Sequence, residues 1–146
     1  MFEFNLDWQQ IVSNSIQLGI AFVLALPLGF DREANARSAG LRTFPLVAIG
    51  ACGFMLTALS VLDDADARAR VMYGIITGIG FIGGGSILKS DNKVVGTATA
   101  AGIWNTGAIG IAAAWGRYEI AIVICLVTFV TLSLGGWLKG SATNAD

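Results

Sequence analysis

The chain has 146 residues, of which 55% are hydrophobic and only 13% charged, with a net charge of −1 and no histidine. An average soluble domain is about 25% charged, so this composition excludes an ordinary water-soluble globule. No nucleic-acid partner is expected. Mean hydropathy is +0.70, and the charges fall in short clusters between long uncharged runs.

The first run, Ile11–Phe30, holds 20 residues without Asp, Glu, Lys or Arg. A helix rises about 1.5 Å per residue, so about 20 residues cross a bilayer's hydrocarbon core. The flank MFEFNLDWQQ carries Glu3 and Asp7 and no basic residue, the wrong sign for a signal-peptide n-region. The run is therefore read as a span, with Trp8 at the interface. Ser13, Asn14, Ser15 and Gln17 make its first turns the most polar of any run.

Asp31-Arg32-Glu33, Arg37 and Arg42-Thr43 follow, five charges in a thirteen-residue connection at the membrane face. Solvation in a loop accounts for such charges. Asp31 nevertheless follows Phe30 directly and Arg42 lies beside the second span. These groups can turn inward and pair, or meet a cation or a lipid phosphate. Asp31 and Glu33 are a weak signal for a hard cation with oxygen ligands, which leaves a metal open.

The second run, Phe44–Leu62, has 19 residues and carries a short small-residue stripe at Gly50, Gly53, Thr57 and Ser60. Cys52 here and Cys125 in the fifth run read as small apolar residues within spans. Asp63, Asp64, Asp66, Arg68 and Arg70 form the next loop. With no glycine turn it is not an EF-hand, and it reads as a solvated acidic loop.

The third run, Val71–Leu88, has 18 residues, and its Gly78-Ile79-Gly80-Phe81-Ile82-Gly83 spells G-x-G-x-x-G. A dinucleotide fingerprint needs a strand before it and an acidic residue about 20 positions on. The preceding residues belong to the same uncharged run, and the acids downstream are Asp91 and then Glu119, so the match fails. On a helix the glycines form two bare faces, Gly74/Gly78 with Gly85 and Gly80/Gly84 beside Gly83, each able to admit a neighbour to backbone distance. That reading predicts a third span clasped by two neighbours. The other reading has Gly83-Gly84-Gly85-Ser86 unwind and turn carbonyls toward a cavity or ion path.

The fourth run, Val94–Trp115, has 22 residues and an unbroken stripe of Ala98, Gly102, Thr106, Gly110 and Ala114, the expected partner of the third span. Thr97, Thr99 and Asn105, next to Trp104, add polar groups. An amide in hydrocarbon needs partners, so Asn105 either bonds a neighbouring helix or lines a polar cavity. The fifth run, Ile120–Leu138, has 19 residues. The expected fold is all-α, an integral membrane bundle of five transmembrane helices in one domain. Six Lys and Arg on one side against three on the other put the N-terminus outside and the C-terminus in the cytoplasm. No nucleophile–base pair, phosphate loop or nucleotide motif is present in the sequence, so neither enzymatic activity nor a cofactor is expected.

Three segments taken together, LGFDREANARSAGLRTFPLVAIGA (Leu28–Ala51), GIGFIGGGSILK (Gly78–Lys89) and VVGTATAAGIWNTGAIGIAAAWGRY (Val94–Tyr118), resemble the MgtC/SapB family of bacterial inner-membrane proteins. The resemblance implies a five-span domain with an external N-terminus. It marks Asp31, Arg32, Glu33, Arg37, Gly40, Leu41, Arg42 and Thr43, then Gly80, Gly83, Gly85, Gly96, Thr97, Thr99, Ala100 and Trp104, as motif positions. The best-known member of that family acts in survival inside macrophages and in growth at low magnesium. It restrains the proton-driven ATP synthase rather than carrying magnesium, and it continues into a soluble cytoplasmic domain, whereas this sequence ends eight residues after Leu138. What the resemblance implies here is a non-enzymatic membrane protein that modulates other machinery under magnesium limitation or acid stress. The implied partners are lipid, a second copy, and inner-membrane proteins such as the ATP synthase or small membrane peptides. The alternative is a cation channel or transporter for magnesium or protons, which predicts that Asp31, Glu33, Asn105 and the Gly83–Ser86 carbonyls converge on one cavity.

Overall fold

The computed structural model describes residues 6–35, 39–90 and 93–143; Arg37 therefore lies outside the described residues. The order is α1 (Trp8–Asn35), α2 (Thr43–Val61), α3 (Ala65–Gly85), β1 (Leu88–Ser90), β2 (Lys93–Val95), α4 (Thr97–Ala114) and α5 (Tyr118–Thr143). The five expected helices are all present. By length and apolar composition α1, α2 and Tyr118–Gly135 of α5 can cross a membrane. The other two fall short of the expected five for chemical reasons. The first turns of α3 carry Asp66, Arg68 and Arg70, and α4 is diluted by glycine, threonine and Asn105.

Boundaries move where charges were read as loop. α1 runs 28 residues, about 42 Å, and carries Asp31, Arg32 and Glu33 as helix rather than connection. The Asn35 amide closes that last turn by donating to Asp31 O at 2.9 Å. In the expected acidic loop, Asp64 is instead the N-cap of α3, accepting from the Ala67 N–H at 2.8 Å. Arg68 Nε donates to Leu62 O at 2.7 Å and so covers a carbonyl just past the end of α2. The all-α expectation also misses one element, a two-stranded antiparallel ribbon pairing Leu88 with Val95 and Ser90 with Lys93.

α4 is the centre of the bundle and packs against all four other helices. Ten of its residues are buried, among them Gly102, Ile103, Thr106, Ile109 and Gly110. Its small-residue stripe meets α2, not α3 as expected. A Cβ at Gly110 would collide with Ala48 O and stand 2.9 Å from Ala51 Cβ, and one at Gly102 would stand 3.1 Å from the Phe44 ring. The facing surface of α2 is Phe44, Ala48, Ala51, Cys52 and Met55; Gly50 and Gly53 lie on another side, with open space around them.

α3 leans on α4 and α2 from the edge, burying only Ile79 and Gly83. Gly83 meets the α4 backbone at Ala100, with Ala100 O 3.1 Å from where a Cβ would be. Gly74, Gly78, Gly80, Gly84 and Gly85 face open space, so among the described residues only Gly83, at the edge of the second glycine face, meets a neighbour, and two neighbours do not clasp α3 through its glycines. Gly83–Gly85 stay helical, and α3 ends at Ser86, whose N–H and hydroxyl both bond Gly83 O, at 3.0 and 2.7 Å.

Between α1 and α2 the chain returns through a tight fold. Gly29 lets the Leu41 backbone approach to 3.1 Å of its missing Cβ. Glu33 Oε2 accepts the Leu41 N–H at 3.0 Å, and a Cβ on Gly40 would strike that carboxylate. The exterior is a near-continuous apolar coat that includes Phe22, Phe54, Phe81, Leu126 and Val130, a surface made for lipid.

Gly110→Ala is expected to cost about 1–3 kcal/mol by forcing α4 off α2, while Gly78→Ala, adding a methyl to open space and gaining helix propensity, should be neutral or stabilising. Thermal unfolding of the two variants in detergent checks the contrast.

Candidate functional site

The C-terminal end of α1, the first half of α4, the second half of α5 and the ribbon enclose a cleft of about 750 Å³. Its polar lining is Arg32, Asn35, Thr97, Thr99, Asn105, Thr128 and Thr131. From Thr97 to Asn105 it descends about 12 Å along α4.

Each wall is set by a local constraint. Gly96 has φ +93°, a left-handed conformation that side chains rarely adopt, and a Cβ there would collide with Ser86 O. That residue turns the ribbon into α4, whose first helical bond is Ala100 N–H to Gly96 O at 2.8 Å. Gly96 supplies no side-chain cap, so the N–H groups of the first turn are left without helix partners. These residues, Thr97 to Thr99, line the cleft mouth.

Arg32 is 7% exposed, which demands a counter-charge. Asp31 provides it, accepting from Nε at 2.8 Å and pairing closely with Nη2. Nη2 also reaches Leu132 O at 3.4 Å, and Ser133 Oγ donates to the other Asp31 oxygen at 3.0 Å. The pair thus ties α1 to α5. Asp31 sits behind the guanidinium and lines a separate shallow groove with Pro27, Phe30 and Phe129. Arg32, not Asp31, is the charge presented to the cleft.

At the inner end Asn105 Nδ2 donates to Thr128 Oγ1 at 3.0 Å, the Thr128 side chain being buried. Asn105 therefore both bonds a neighbouring helix and lines a cavity. Thr106 spends its hydroxyl on Gly102 O of its own helix at 2.8 Å. Thr99 is 2% exposed and lines the cleft; among the described residues its hydroxyl has no hydrogen-bond partner, and it is not sealed from the cavity.

Of the sequence-derived site residues, the cleft gathers Arg32, Thr97, Thr99 and Asn105. Glu33 is turned to the Leu41 backbone, Arg42 is exposed at the start of α2, and Thr43 opens that helix. Trp104 lies instead in an apolar groove of about 490 Å³ with Met72, Ile76, Ile79 and Ile124. The convergence of Asp31, Glu33, Asn105 and the Gly83–Ser86 carbonyls does not occur. Thr128 and Ser133 went unnoticed in sequence, although lone hydroxyls inside an apolar helix are the signal that finds them. Gln17, read only as a polar opening, donates to Ala113 O and Ala114 O at 3.2 and 2.9 Å and caps the end of α4.

A helical bundle with three membrane-length apolar helices, a lipid-suited exterior and a polar cleft at one end is a membrane protein. The chain belongs to the MgtC family, whose profile matches residues 18–141. It is 34% identical to the "Putative magnesium transporter YhiD" of Escherichia coli K12 over 82% of this chain and 59% of that protein. It is 38% identical to "Protein MgtC" of Brucella abortus over 80% of this chain and 48% of that one. With "Protein SrpB" of Synechococcus elongatus identity is 32% over 87% and 75%. The chain spans about half the length of several curated relatives it matches. No solved structure matches it.

The Asn105–Thr128 bond should contribute about 0.6 kcal/mol and at most about 1.7 kcal/mol. A double-mutant cycle with Asn105→Leu and Thr128→Val, read by unfolding in detergent, is expected to return a coupling of that size, and additive variants would remove the bond's structural role.

Proposed function

We propose that this chain is a multi-pass protein of the bacterial inner membrane, N-terminus outside and C-terminus cytoplasmic. In this reading it acts by gripping other membrane proteins rather than by chemistry or ion conduction. Its task is adjustment to magnesium limitation or acid stress, and survival inside a host where the bacterium has one. The link to magnesium rests on family membership and on the name carried by the Escherichia coli relative.

The observation that carries the reading is the pair of bare glycine faces on the outward side of α3. Gly74, Gly78, Gly80 and Gly84 present bare backbone to open space, beside Tyr73 at 73% and Phe81 at 85% exposure. A helix loses packing by such gaps unless another helix fills them, and in lipid close backbone approach is what holds helices together. A second copy of this chain, or a single-span peptide, fits either face; so does a helix of a larger assembly such as the ATP synthase.

A second reading, a magnesium or proton carrier, draws on the relative's name. Against it stands the sign of the cleft. The charged group facing the cavity is a guanidinium, and like charges repel strongly where water is scarce.

Gly74→Leu with Gly78→Leu should leave the fold and membrane insertion intact but abolish co-purification with a membrane partner and rescue of growth at low magnesium. Proteoliposomes with the unaltered chain should show no magnesium or proton flux under an imposed gradient. Robust flux lost on Asp31→Asn would overturn the reading.

A further inference from the structure

We infer that the cleft is a binding site for a phosphate-bearing anion, seated between the Arg32 guanidinium and the N-terminus of α4. Three independent donor sets meet there. The first is the amide N–H groups of Thr97, Ala98 and Thr99, uncapped by any side chain. Unpaired N–H groups and the helix dipole make such an end attractive to anions. The second is Arg32, 93% buried, whose fork is satisfied by Asp31 and Leu132 O on the Nε and Nη2 side. Among the described residues Nη1 has no partner, and Arg32 lines the cleft. The third is the Thr99 hydroxyl, 98% buried and likewise unpartnered among the described residues.

The unpartnered Arg32 Nη1 and Thr99 hydroxyl are open to the cavity rather than sealed from it, so with the first-turn amides they converge on the space a guest would fill, and an acceptor-rich anion matches them. Phosphate supplies that: several acceptor oxygens and a charge that a guanidinium matches in geometry. The carboxylates near the mouth do not oppose it. Asp31 is engaged by Arg32 and Ser133, and Glu33 by the Leu41 amide. Lys89 and Lys93, exposed on the ribbon whose Leu88, Val94 and Val95 form the cleft's rim, add positive potential.

The volume, about 750 Å³, exceeds what bare phosphate fills and is in the range of sites for an organic ligand. Below the donors the wall turns to Ala101, Val127, Thr128 and Leu132. Val127 and Thr131 on that wall are exposed toward the outside of the bundle, so the lower cleft opens sideways. An ester with an apolar tail and a free phosphate share the headgroup chemistry, and the side opening is where a lipid chain would leave. This inference stands whether or not α3 grips a partner.

The test uses the full chain purified in a neutral detergent and titrated with inorganic phosphate and with a short-chain phosphatidic acid, read by calorimetry and thermal shift. At least one should bind saturably and more weakly as salt rises. Thr99→Val, isosteric and hydroxyl-free, should weaken binding about tenfold, and Arg32→Gln should weaken it further. Thr106→Val, whose hydroxyl serves its own helix, should leave it unchanged. Phosphatidic acid bound tightly and not displaced by phosphate assigns the site to a lipid headgroup; phosphate binding as tightly as the lipid assigns it to a soluble anion, and both outcomes support the site. Should Arg32→Gln fail to fold, Thr99→Val carries the test alone. Absence of saturable binding by either probe, or Thr99→Val binding like the unaltered chain, would overturn the inference.

Discussion

The bundle depends on α4 reaching the backbone of α2. In a bilayer the hydrophobic effect does not drive helices together, because lipid tails are as apolar as side chains. Packing must come from close contact, and close contact here comes from missing side chains: Gly110 lies against the Ala48–Cys52 backbone and Gly102 receives the edge of Phe44. Once α4 is drawn that deep, it can touch all four other helices. α3 then leans on its Ala100 backbone through Gly83, Gln17 of α1 caps its far end, and Asn105 bonds across to α5.

A second constraint fixes the end of the bundle where the polar groups collect. Two opposite charges, Asp31 and Arg32, are both almost fully buried. Their mutual attraction in a low-dielectric setting must offset the loss of hydration, and it does so only with further hydrogen bonds. α5 provides these through Ser133 Oγ and Leu132 O. The same arrangement orders the pair in space, with the carboxylate behind and the guanidinium in front. A net-neutral pair thereby presents a positive face to the cleft, which decides what kind of guest the cleft suits.

Much of this was legible in the sequence. Five helices follow from five uncharged runs, and the small-residue stripe of α4 correctly marks its most intimate face. The partner of that stripe was not legible, because a stripe says that something comes close without saying what. α2 meets it with alanines and Cys52 rather than with its own glycines. The helical continuation through Asp31–Asn35 was hidden for a related reason: charge near a span end reads as loop until a partner on another helix is known. Of the site, Arg32, Thr97, Thr99 and Asn105 were picked out by residue type, whereas Thr128 and Ser133 needed the register of α5. The ribbon at Leu88–Val95 escaped because its three-residue strands are too short to show alternation.

The glycines of GIGFIGGG gain their meaning from this geometry, and they do not share one meaning. Gly83 is where α3 comes against α4. Gly83 and Gly84 also hold carbonyls that close the helix at Ser86 and Ile87, so the segment ends a helix without unwinding inside one. Gly78, Gly80 and Gly84 face outward with nothing against them. Glycine lowers helix propensity by about 1 kcal/mol relative to alanine, so a helix that keeps three at unoccupied positions sacrifices stability that alanine would restore at no steric cost. Within the isolated chain that sacrifice has no return. It has one when a second helix lies along α3 at backbone distance, which is why the outward glycines and not the inward one bear on what the protein does.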